Sequence, residues 1–137
     1  MNEKTAQLQE RTRKFAAAII RFCEKLPPTD AARQIGQQLI DSASSTDSNY
    51  RAACRGRSRD EFIAKIGTTI EEADESKGWL QLLVEADIVP AADAAALTQE
   101  ADELTAIFVR SRKTAEERKL RDQQFKRQLA SKRPNTR

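Results

Sequence analysis

Glu72, Asp74 and Glu75 fall within four consecutive positions, and Ser45, Asn49 and Arg51 punctuate the polar stretch Ser45-Thr46-Asp47-Ser48-Asn49-Tyr50-Arg51. Carboxylates on one helix face can bind a divalent ion or carry a proton, with a neighbouring amide as an orienting group. The catalytic signals stop there. The chain has no histidine, no Glu-x-x-His pair of the kind di-iron bundles use, no Gly-rich phosphate loop and no nucleophile with an evident base. Cys23 and Cys54 lack metal-ligand spacing and read as small apolar residues or reduced thiols. The expectation is a protein that is not an enzyme, with no catalytic residue, cofactor or metal. Ser45, Asn49, Arg51, Glu72, Asp74 and Glu75 are expected instead to form a structural polar network, because buried polar groups require partners.

Charge supplies a second group of candidates. The formal net charge is +3, but residues 116–137 hold eight basic against three acidic side chains, leaving residues 1–115 at −2. Arg51, Arg55, Arg57 and Arg59 cluster where two helices meet. With Arg118, Lys119, Arg121, Lys126 and Arg127 they are candidates for contacts to the phosphates of RNA or DNA, which would be sequence-independent and weakened by salt. Arginine near a helix C-terminus also favours the helix dipole in solvent, so the same residues have a plain structural reading. No apolar run approaches the ~20 residues of a membrane span, and Met1-Asn2-Glu3-Lys4 leads directly into charged sequence. A cytoplasmic protein with no membrane partner is expected.

The elements that must position these residues read as helices. Gly and Pro number four each, and Ala, Leu, Glu, Lys, Arg and Gln dominate, a composition that favours helix over hairpins. Leu8, Phe15, Ile19 and Phe22 form one stripe ended by Pro27-Pro28. Thr29 or Asp30 caps a second helix carrying Ile35, Leu39, Ala43, Thr46 and Tyr50, and Gly56 suits a left-handed turn at its end. Ser58 and Glu61 read as a capping box opening a third helix through Phe62, Ile66, Ile70, Ala73, Leu80 and Leu83. Within it Gly78 costs about 1 kcal/mol relative to Ala, and close helix approach is one reason to keep it. A fourth helix starts near Ala91, carries Leu97, Ala101, Leu104 and Phe108, and extends past Ala115 as a solvated rod, with residues 131–137 frayed. Short connections force antiparallel neighbours, so the expected fold is an all-α up-down-up-down four-helix bundle over residues 1–115, with a basic extension over 116–137. Lys77, Trp79, Gln81 and Leu82 cannot all face one core, which makes Trp79 and Leu82 candidates for a subunit interface.

Three runs then carry a resemblance: Ser45 to Ser58, Asp60-Glu61-Phe62-Ile63-Ala64-Lys65-Ile66, and Glu71-Glu72-Ala73-Asp74-Glu75-Ser76-Lys77-Gly78-Trp79-Leu80-Gln81-Leu82-Leu83. Over about residues 10–115 the chain resembles the four-helix-bundle proteins encoded in intervening sequences of bacterial 23S ribosomal RNA genes. That resemblance implies assembly into a ring, usually of five subunits. It also implies kinship with the accessory proteins of diversity-generating retroelements, which bind reverse transcriptase and nucleic acid. The expected function is a non-enzymatic homo-oligomeric scaffold or adaptor with electrostatic nucleic-acid contacts. The alternative is a nucleic-acid-binding accessory protein acting on structured RNA or a retroelement template with a reverse transcriptase.

Overall fold

Each helix forms where an apolar stripe recurs at three- and four-residue intervals; side chains flanking the first three satisfy their first free amides, whereas the fourth opens after Pro90 with no side-chain cap. A computed structural model describes residues 1–132, and gives α1 (Glu3–Glu24), α2 (Asp30–Cys54), α3 (Arg59–Glu85) and α4 (Ala91–Ser131). The expectation for residues 133–137 lies outside the described residues. Asn2, Thr29 and Ser58 cap α1, α2 and α3 by accepting from the amides of Thr5, Ala32 and Glu61. Glu61 returns the contact by accepting from the Arg57 amide at 2.7 Å, a variant of the capping box displaced by one residue.

The helices are antiparallel to their neighbours, as the residue numbers of cross-helix partners show. Along α3 and α4, Lys77 meets Asp102 near their turn, whereas Arg59 meets Asp122 at the far end. Cys23 lies against Gly36, and Thr12, further from the α1–α2 turn, reaches Asp47. Sequential helices pack against one another, and α1 closes the ring more lightly against α4. Phe15 and Ile19, Leu39 and Tyr50, Ile66, Leu80 and Leu83, and Leu104 and Phe108 fill the centre. Each fully buried side chain of this size is worth about 1.5–3 kcal/mol. Tyr50 and Phe108 stack tilted across the core, with centroids 5.3 Å apart.

Two local expectations are corrected. Gly56 is not left-handed, and no glycine among the described residues has positive φ. The left-handed position is instead Asp87, with φ 58. There the Ile88 amide returns to the Leu83 carbonyl at 3.0 Å, and that of Asp87 to Val84 at 3.0 Å, so α3 ends in a Schellman turn that an aspartate can occupy. Nothing approaches the place of a Gly78 Cβ within 4 Å; close approach belongs to Gly36, where a Cβ would sit 3.0 Å from Leu26 Cδ1. α4 runs unbroken through residue 115, still touches α3 at Asp122, and then continues with every side chain from Arg121 to Lys132 exposed. Among the described residues no helix is long and apolar enough to cross a membrane.

Candidate functional site

The polar residues of α2 are held between its neighbours in two places. Ser76 of α3 donates to the Ser42 hydroxyl at 2.9 Å, with both side chains buried. On the other side Asp47, only 6% exposed, accepts from the Thr12 hydroxyl at 3.2 Å and pairs with Arg51 at 3.1 Å. Arg13 completes that cluster at 3.8 Å. The two clusters pin α2 to α3 and to α1, and a hydrogen bond between buried groups makes a shifted register costly because each partner would be orphaned.

The expected pairing of Ser45, Asn49 and Arg51 with Glu72, Asp74 and Glu75 takes a different form. Asn49 donates to the carbonyl of Ser45 one turn back at 2.9 Å, and Arg51 spends its charge on Asp47 in its own helix. Register is the reason. The short turn at 55–58 makes residues equally far from it face each other, and the Ser42–Ser76 contact fixes that correspondence. Asn49 therefore falls level with Thr69, and the carboxylates of α3 stand opposite the stretch just after Ser42. Asp74 is exposed, Glu75 accepts from the Trp79 indole at 3.2 Å, and Glu72 is half-buried. Burial, then the charges of Glu75 and Glu71, raise the Glu72 pKa above its ordinary value of 4.5. Among the described residues no cluster of three or more cysteines or carboxylates could hold a metal ion.

The basic candidates gather at one end of the bundle, where α1 and α3 begin, α2 ends and α4 passes by. They are not equally available. Arg59 is bound to Asp122 at 2.6 Å and Lys119 to Asp60 at 2.7 Å; the hydrogen bond from Arg59 and then its charge lower the Asp122 pKa. Arg55, Arg57, Arg118, Arg121, Lys126 and Arg127 are exposed and, among the described residues, in no ion pair. The structure adds two cations that the sequence did not single out. Lys4 and Arg110 join Arg59 and Arg118 around a groove floored by Phe62, Ile107 and Ala115, with the hydroxyls of Ser111 and Thr114 on its wall and no carboxylate in its lining. Lys4 lies over a hundred positions from Arg110, so only the antiparallel packing of α1 on α4 reveals the pair.

Residues 4–110 match the family model described as 23S rRNA-intervening sequence protein. The chain belongs to that family. A similar solved structure is a protein of unknown function from the S23 ribosomal protein family of Bacteroides thetaiotaomicron. It is 23% identical, covers 80% of this chain and 98% of its own, and superposes with a TM-score of 0.75; at that identity the likeness concerns the fold. No curated protein matches the chain. Both polar clusters lie within the segment that matches the intervening-sequence family, as do Lys4, Arg59 and Arg110. Arg118, Lys119, Arg121, Lys126 and Arg127 lie beyond it.

The interface candidates also lie in the family segment. Trp79 is half-buried and packs partly against the core, whereas Leu82 is 44% exposed. Ile20 and Val109 are further large apolar side chains open on the bundle body.

Proposed function

We propose that this intervening-sequence family protein is a non-enzymatic adaptor that assembles as several identical copies and uses its basic end to hold the phosphates of nucleic acid. The observation that carries the reading is the groove where Lys4, Arg110 and Arg118 converge with no carboxylate in its lining, beside an Arg59 already paired with Asp122. A groove of one sign of charge raises the local concentration of a polyanion. Side chains of this kind bind backbone and not base sequence, so affinity follows counterion release. Assembly is supported by the open Ile20, Leu82 and Val109 side chains, and a ring would multiply each basic groove and its avidity.

Two measurements test it. In titrations of a duplex and of a structured RNA at two salt concentrations, log affinity should fall linearly with log salt. Absence of binding at the lower salt would remove the nucleic-acid half. Light scattering should return a multiple of the chain mass; a monomer across the working concentration range would remove the assembly half.

A further inference from the structure

The basic groove continues along α4. At roughly 100° per residue, Arg110, Thr114, Arg118, Arg121 and Phe125 fall in one sector about 80° wide on the side of α4 turned toward α1, with the Asp122–Arg59 pair at its α3 edge and Lys119 on the far side. From Arg110 to Phe125 the track is about 22 Å long at a rise of ~1.5 Å per residue. Its carboxylates are few: Asp122 is committed to Arg59, Glu116 faces Arg112, and Glu117 lies at the edge. Phe125 is the one aromatic among three large apolar side chains, with Leu120 and Leu129, that stand open on this stretch. It is 61% exposed beyond the point where α3 begins, and no neighbouring helix covers it. An open aromatic in line with unpaired arginines serves neither the core nor a purely phosphate-binding surface.

We infer that this face of α4, from the Lys4–Arg110–Arg118 groove to Phe125, is a track for single-stranded nucleic acid, with the arginines on the backbone and Phe125 stacked against an unpaired base. The inference rests on the nucleic-acid reading above and narrows it. A duplex keeps its base faces stacked inside and can use only the cations, whereas a single strand can use the aromatic as well. An acidic polypeptide would likewise engage the arginines without needing a stacking platform.

The test is fluorescence anisotropy of the full chain with a labelled oligothymidylate of about 12 nucleotides, within the ~4–16 nucleotide range of single-strand sites, beside a duplex of equal length. Phe125→Ala should weaken single-strand binding about tenfold, corresponding to the loss of one base stack of ~1.4 kcal/mol, and leave duplex binding unchanged. Arg110→Glu with Arg118→Glu should weaken both. All three positions are exposed, and circular dichroism verifies that each variant keeps its helices. Equal loss on both probes, or no loss with Phe125→Ala, overturns the track. Displacement of the oligonucleotide by polyglutamate at matched charge also overturns it in favour of an acidic protein partner. If both nucleic acids bind but the α4 variants change nothing, the track fails while the broader reading stands. If neither binds at low salt, both fail.

Discussion

Asp47 is the residue on which the α1–α2 contact turns, and it was hidden inside the polar stretch that drew attention to Asn49. A nearly buried carboxylate shared by Thr12 and Arg51 is replaced by nothing when truncated, whereas the Asn49 amide only supplements a carbonyl already inside α2. Asp47→Ala should therefore cost about 1–3 kcal/mol in urea unfolding and Asn49→Ala less than about 0.5 kcal/mol; the reverse order would restore Asn49 to the centre of the network. Thr12 was not singled out from the sequence, although it falls on the line of Leu8, Phe15 and Ile19, where a polar residue asks for a partner. The identity of that partner was not legible, because it depends on register. Glu72 makes a second, pH-dependent case. Its folded pKa lies above the unfolded value, so the folded state holds more protons in the interval that opens upward from 4.5, and stability falls as pH rises through that interval. Glu72→Gln should then raise Tm at pH 7, and the gain should vanish near pH 4. A gain of equal size at both pH values would assign the effect to something other than the carboxylate charge.

At the scale of the helix, two glycines with the same sequence signature have opposite roles. Gly36 lets α2 approach the end of α1, where an added methyl would press on Leu26; Gly78 faces open space. Gly78→Ala should stabilise the protein by about 1 kcal/mol through helix propensity, and Gly36→Ala should gain less, because the same propensity gain is offset by the displacement of Leu26, both measured by thermal unfolding. If Gly78→Ala instead lowers stability only at concentrations where copies associate, its open face belongs to the interface between copies. Apolar periodicity made all four helices legible, and Pro27-Pro28, Thr29 and Ser58 marked their limits. What periodicity lacks is the distance between two stripes. It could not separate Gly36 from Gly78, nor assign the left-handed turn to Asp87 over Gly56, because that choice was made by the Schellman contacts closing on Leu83 and Val84.

For the molecule as a whole, the arrangement separates a body that packs from an overrun that does not. Composition placed the change near residue 115, but the ion pairs of Lys119 with Asp60 and Asp122 with Arg59 carry α4's attachment to α3 further. Exposed pairs of this kind are screened by water and hold the helix weakly, so their loss should have a small effect. A chain ending after Asp122 should melt with the full-length protein, whereas one ending after Ala115 should melt at a slightly lower temperature; equal melting of all three chains would show that the two pairs add nothing to the fold. The same two chains separate assembly from binding. If copies meet through the body, where Leu82, Ile20 and Val109 are open, the chain ending at Asp122 keeps the same number of copies in light scattering and loses affinity for single strands with Phe125 removed. Collapse of that shorter chain to a monomer would locate the contact between copies on the overrun itself, and Phe125 and Leu129 would then be covered by a second copy instead of by a base.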